Sequence, residues 1–271
     1  MSRTKKILHI TSAPYRYFKF ICFWVGFSVV VSLIALFTFI FFFFHGLPDI
    51  KHSTFNDLKK QAQSQIAKKY ERRGKRHTWV TIKNMNRDLL YTMVMSEDSE
   101  YFNHNGIDHD AIINALFQNV KADTIKYGAS TISQQVAKNL YLSGEKSLIR
   151  KVKEYFITRD LESYFTKNQI LELYANMAEF GPDIFGVYAA SKSFFGKHPK
   201  YLNAAEGAYM SLMLPSPRKY HYILIQNKNF TKSFRNKYRR VLRDMRYKEY
   251  ISPKQYRKYI NYKFSKKRRR K

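Results

Sequence analysis

The longest feature of the hydropathy pattern is an unbroken apolar run at residues 20–44, which carries no charged side chain. At 1.5 Å rise per residue it exceeds the roughly 30 Å of hydrocarbon in a bilayer, so it predicts one transmembrane helix. The run is too long for the apolar region of a cleaved signal peptide, and His45-Gly46-Leu47-Pro48 lacks a small-x-small cleavage pattern. Arg3, Lys5, Lys6, Arg16 and Lys19 precede it with no acidic residue among them. This bias predicts a cytoplasmic N-terminus, with the rest of the chain outside. Lys51, Lys59 and Lys60 lie on the far side and weaken the bias, although Asp49 and Asp57 accompany them.

Beyond the run, residues 45–78 are polar and charged and read as a juxtamembrane stalk, with a short helix at 57–72 and a break at Gly74. From 79 to 220, apolar residues recur at three and four positions, separated by Gly, Asn and Pro, with few alternating β-branched stretches. That periodicity predicts a mainly α domain. A further helix is expected at 230–246, Ser252-Pro253 has the cap-then-proline pattern of another, and 266–271 is a basic run. The predicted organisation is a basic cytoplasmic segment at 1–19, a transmembrane helix at 20–44, a stalk at 45–78, a catalytic domain at 79–247 and a basic C-terminal extension at 248–271.

Length and charge narrow the picture. With the apolar run subtracted, 271 residues leave room for one compact domain with a real core and no second catalytic domain. The formal net charge of +29 points to a polyanionic partner: nucleic acid, anionic lipid headgroups or a phosphorylated substrate. Cys22 is the single cysteine and lies in the apolar run, which excludes a disulfide framework or a cysteine-ligated metal within one chain.

Four segments concentrate polar chemistry. In Glu97-Asp98-Ser99-Glu100-Tyr101-Phe102-Asn103-His104-Asn105-Gly106, carboxylates crowd against aromatics. A glutamate desolvated by rings acquires a raised pKa suited to acid or base work; by composition alone, a solvated helix end fits as well. In the segment from Gly128 to Asn139, Ile132, Val136 and Leu140 form an apolar stripe. Ser130, Gln134 and Lys138, flanked by Thr131, Gln135 and Asn139, form a polar face beside a helix N-terminus, either for sugar and phosphate oxygens or merely exposed. In the third segment Lys146, Arg150 and Lys153 or Glu154 share a helical face that can take a pyrophosphate, while pairing of Arg150 with Glu154 is the plainer alternative. The fourth, from Lys167 to Asn176 and on to Gly186, is mostly apolar, and Glu172 and Asn176 read as wall braces.

Together these segments resemble the glycosyltransferase domain of peptidoglycan synthases, the family that includes one domain of bifunctional penicillin-binding proteins. The patterns ED-x-x-F-x-x-H-x-G, G-x-S-T-I-x-Q-Q-x-x-K-N, R-K-x-x-E and K-x-x-I-L-E-x-Y-x-N recur in order across 79–220, with tyrosine in place of phenylalanine at position 101. The stretch NMAEFGPDIFGVYAASKSFFGK, with Glu206 and Leu214-Pro215-Ser216-Pro217, looks closest to the monofunctional biosynthetic branch. The resemblance implies a mainly α, lysozyme-like domain with a smaller membrane-contacting lobe, polymerising lipid II into β-1,4 glycan at the outer face of the cytoplasmic (inner) membrane. It implies Glu97 as general base and Glu154 as second carboxylate. It also implies Asp98, His104, Ser130, Thr131, Gln134, Gln135, Lys138, Asn139, Lys146, Arg150 and Lys153 as substrate-binding residues. Lys151, about 100° round the helix from Arg150, is expected to point away.

The implied partners are lipid II, the growing glycan strand, membrane lipids and other wall-synthesis proteins, with no nucleic acid. No metal ligand set and no required cofactor are implied, which leaves room for a divalent cation such as magnesium. Tyr101, Thr158 and Ala175 depart from the usual phenylalanine, alanine and leucine. A Tyr101 hydroxyl beside Glu97 is expected to donate to the carboxylate and lower its pKa. Competing readings are a catalytically inactive membrane-anchored scaffold, an anionic-polymer binder and a glycan-cleaving relative. Ser143-Gly144-Glu145-Lys146 and Ser216-Pro217-Arg218-Lys219 fit S-x-x-K, but no K-T-G accompanies them, so transpeptidase chemistry is not expected.

Overall fold

The computed structural model describes residues 3–71, 77–122, 128–142 and 147–264, with side chains from Tyr15 onward. It divides into two units, Met1–Pro48 and Asp49–Lys271. The first is a single helix, α1 (Arg3–His45). Within it, Tyr15–His45 has a mean hydropathy of 2.7 and is long and apolar enough to cross a membrane. Thr38 satisfies its hydroxyl inside the helix by donating to the Ile34 carbonyl at 2.8 Å.

The second unit is mainly α and lysozyme-like. It contains α2 (Phe55–Glu71), α3 (Arg87–Glu97), α4 (His109–Lys121), α5 (Ile132–Tyr141), α6 (Leu148–Tyr164) and α7 (Lys167–Met177). A small antiparallel hairpin follows, β1 (Glu179–Gly181) and β2 (Ile184–Phe185). Then come α8 (Gly186–Phe195), α9 (Ala204–Ser211), α10 (Pro217–His221), α11 (Lys232–Tyr247) and α12 (Pro253–Ile260). Polar caps set the helix starts: Thr131, Thr166, Asn203 and Ser252 each close a capping box with the Gln or Glu three residues on.

The core lies where α3 packs on α9 and α5 packs on α6 and α7. Leu89, Met93, Ile132, Val136, Leu140, Ile157, Leu171 and Leu173 are all buried there. Gly207 lets α9 close on α3, because a Cβ at that position would lie 2.4 Å from Thr92 Oγ1. Glu172 and Asn176 tie the chain at 79–82 to α7. Glu172 accepts from Trp79 Nε1 and from the Ile82 amide, both at 2.8 Å. Asn176 accepts from the Val80 amide at 2.9 Å and donates to the Val80 carbonyl at 2.8 Å.

The segment expected as a stalk contains α2, whose Leu58, Ala62, Ile66 and Tyr70 are buried in this unit against α7 and α5. Gln61 and Gln65 of α2 also donate to the Leu140 carbonyl. The expected C-terminal extension belongs to the unit as well, as far as Phe264. Ile251 and Tyr259 are buried, and Tyr262 donates to the buried Glu206 carboxylate at 3.1 Å. The basic run at 266–271 lies outside the described residues.

Candidate active site

Glu97 is the last residue of α3, and its half-buried carboxylate borders a cleft of about 300 Å³. Ser130 and Arg240 line the same cleft. Burial pushes the Glu97 pKa up, while the Lys237 ammonium and hydrogen bonds from Gln135 and Ser96 pull it back. Gln135 Nε2 donates at 3.3 Å and Ser96 Oγ at 3.4 Å. A desolvated carboxylate held by two weak donors is suited to taking up a proton.

Asp98, the next residue, is turned to a different task. Its Oδ1 accepts from His104 Nε2 at 2.9 Å, and its Oδ2 accepts from the Ile132 amide at 2.9 Å, at the start of α5. Since His104 Nδ1 accepts from the Gly106 amide at 3.1 Å, the ring proton sits on Nε2. Gly106 turns at φ +85°, and its carbonyl accepts from Thr131 Oγ1 at 2.6 Å. Thr131 and Gln134 then close their capping box and are buried. Of the residues expected to bind substrate, Asp98 and Thr131 line the Glu97 cleft and also tie the first two motifs together, while His104 and Gln134 bond within their own motifs.

Asp98, His104 and Asp108 also bring ligand atoms within 4.8 Å of one another. Both Asp98 oxygens are engaged as above, and Asp108 Oδ1 accepts from the Ala111 amide at 2.7 Å as the cap of α4. Asp98 and Asp108 also line the Glu97 cleft.

Glu154 is buried on α6, and its carboxylate pairs with Lys151 Nζ. Lys151 also donates to Ser130 Oγ at 3.4 Å, which links α6 to the Glu97 cleft. This corrects the expectation that Lys151 points away: it stands three residues before Glu154, on the same helical face. Lys138 on α5 and Arg150 and Lys153 on α6 are half-buried. Lys146 lies outside the described residues. Asn139 is exposed at the far end of α5, where it lines a separate cleft of about 750 Å³ with Lys68, Lys69 and Arg218. Tyr101 is buried and donates to the Lys167 carbonyl at 2.8 Å, so its hydroxyl does not serve Glu97 as expected.

The helix expected at 230–246 forms as α11, but the residues it adds to the cleft were not among the expected site residues. On its helical wheel Phe234, Tyr238, Val241, Leu242 and Met245 are buried, and Lys237, Arg240 and Asp244 fall together on one flank of that stripe. The stripe packs α11 against α3, which brings Arg240 and Asp244 into the cleft lining. A wheel drawn for 230–246 carries that signal.

Comparison with known proteins gives the family. The transglycosylase family matches residues 63–246. Two relatives are biosynthetic peptidoglycan transglycosylases from Herminiimonas arsenicoxydans, 42% identical over 145 residues, and from Pasteurella multocida, 45% identical over 141 residues. Those matches cover 54% and 52% of this chain. They span 63% and 57% of the relatives' own length. The chain belongs to the transglycosylase family.

Proposed function

We propose that this protein is a peptidoglycan glycosyltransferase that polymerises lipid II into β-1,4 glycan and releases undecaprenyl pyrophosphate. The observation that carries the reading is the desolvated Glu97 carboxylate on a cleft whose other wall reaches, through Ser130 and Lys151, to the buried Glu154. Glu97 takes the proton from the acceptor sugar hydroxyl as that oxygen attacks the donor's anomeric carbon. The bond to pyrophosphate breaks with inversion, and its electron pair leaves on the phosphate oxygen. Lys138, Arg150, Lys151 and Lys153, with Lys146, stabilise the charge that grows on the leaving group. Glu154 holds Lys151 in place for that task.

The membrane setting follows the same reading. α1 anchors the chain in the cytoplasmic membrane with its N-terminus inside. Ile113, Leu116, Phe117 and Val120 of α4 and Leu148, Ile149 and Val152 of α6 are exposed apolar side chains. They suit a lobe that rests on lipid, beside a substrate that is itself lipid-linked. The test is incubation of the purified full chain in detergent with lipid II, followed by electrophoresis of the product before and after lysozyme digestion. Lysozyme-sensitive polymer is the expected result; shortened glycan from a preformed strand, or no product at all, would overturn the reading.

A further inference from the structure

α11 buries one stripe of its surface and leaves another in solvent. Phe234, Tyr238, Val241, Leu242 and Met245 are buried, while Lys232, Arg235, Arg239, Arg243 and Arg246, spaced by three and four residues, form an exposed cationic line on the opposite face. At 1.5 Å rise per residue that line is about 21 Å long. Like charges four residues apart repel and destabilise a helix, a cost that a bound anion removes. Among the described residues Arg243 alone of the five has an ion-pair partner, Asp244 at 3.5 Å. Over 232–260 the sequence sets eleven lysines and arginines against two acids, Asp244 and Glu249.

At its C-terminal end the line runs into a cleft of about 540 Å³ between α11 and α12. Arg243 and Arg246 line it from α11, and Ser252 and Pro253, the cap and first residue of α12, line it from the other helix. The Arg246 guanidinium stands 5.6 Å from the centroid of the Tyr256 ring, a cation–π contact that holds it in place. Tyr247, exposed, borders the same cleft, and so does Glu249. Guanidinium forks beside the positive end of a helix are suited to phosphate oxygens. A neighbouring carboxylate is suited to hydroxyl donors.

We propose that this cleft binds the phosphodiester headgroup of an anionic phospholipid: Arg243 and Arg246 take the phosphate oxygens, Glu249 accepts from headgroup hydroxyls, and the exposed line of α11 draws the bilayer surface to the site. A lipid is the source that the chain itself favours. α1 is long and apolar enough to cross a bilayer, so headgroups are the anions held at high effective concentration around the protein. Tyr247 suits the same setting, since tyrosine is enriched at the boundary between hydrocarbon and water. The site shares no lining residue with the Glu97 cleft, and its role is independent of the part Glu97 plays.

The full chain in a neutral detergent is unfolded by heat with phosphatidylglycerol, phosphatidylcholine or inorganic phosphate added, and native mass spectrometry reports the lipid it retains. Phosphatidylglycerol should raise the midpoint and be retained, because a ligand of the folded state stabilises it, and added salt should shrink the rise. Phosphatidylcholine, whose own cation offsets its phosphate, and inorganic phosphate should do neither. Arg243→Gln with Arg246→Gln should lose at least half of the rise. Arg243→Lys with Arg246→Lys should keep more of it, since the charge stays and only the fork is lost. Lys232→Gln with Arg235→Gln removes as much charge from the same face away from the cleft and should lose less. Each variant is read against its own lipid-free midpoint, so damage to folding shows separately. No rise in wild type, an undiminished rise in Arg243→Gln with Arg246→Gln, or an equal loss in Lys232→Gln with Arg235→Gln would overturn the cleft as the site. An equal rise with inorganic phosphate would overturn the lipid as its ligand.

Discussion

Lys151 and Glu154 form an ion pair on α6 in which the glutamate side chain is buried and the lysine side chain is 53% exposed. The same ammonium reaches Ser130 on the Glu97 side of the cleft. Lys151 is thereby the link between the family's second and third motifs.

Lys151→Ala should therefore lower polymerisation, as Lys138→Ala and Arg150→Ala should. Losing one preorganised donor from a site of developing charge costs on the order of 2–4 kcal/mol in activation free energy. The stability cost should be smaller, about 1 kcal/mol, because water screens the exposed ammonium. Steady-state lipid II turnover for the three variants, beside chemical denaturation, checks both. A Lys151→Ala enzyme of wild-type rate would place the pair outside the chemistry.

Asp98→Ala should act first on folding. It leaves the buried Ile132 amide without its acceptor and His104 Nε2 without its partner, and each unsatisfied buried group costs roughly 1–3 kcal/mol. The readout is the denaturation midpoint in detergent. A midpoint equal to wild type would show that water replaces the brace.

Tyr101→Phe separates the hydroxyl's two assignments. The structure gives that hydroxyl to the Lys167 carbonyl, so its removal should cost about 1 kcal/mol of stability and leave the pH profile of polymerisation unmoved. A displaced acid limb would return the hydroxyl to Glu97.

Stability should also respond to pH through Glu97. Burial raises its folded-state pKa, so the folded chain holds a proton that the unfolded chain gives up sooner. Stability tied to this group is present below the unfolded value and is lost as pH rises through the folded one. Glu97→Gln should then melt above wild type in mildly alkaline buffer, with the gap closing as pH falls into the ordinary carboxylate range. Thermal denaturation across pH measures this, and a gap independent of pH would contradict it.

What the sequence made legible follows from how local each signal is. The Ile132, Val136, Leu140 stripe predicted which side of α5 is buried, a conclusion that needs only one helix. Glu172 and Asn176 were expected to brace the active-site walls, and their hydrogen bonds run to residues 79–82. The packing of α2 was harder to read, because Leu58, Ala62, Ile66 and Tyr70 form a narrow stripe at four-residue spacing in a strongly polar helix. The hydroxyl of Tyr101, the inward turn of Lys151 and the arrival of Arg240 and Asp244 in the Glu97 cleft each depend on a second element that sequence spacing does not place. Asp98 and Thr131 were found as motif residues, but only the fold reveals that they hold one another's segments.

The central claim is that Glu97 is the base for glycan polymerisation, and the most direct measurement compares wild type with Glu97→Gln in lipid II turnover. The amide keeps the size of the side chain and removes its basicity. Folding and lipid II binding should persist, while the rate falls by roughly 10²–10⁴-fold, the usual contribution of a positioned general base. Retention of more than about a tenth of the rate, in a variant that still folds and binds, would contradict the account.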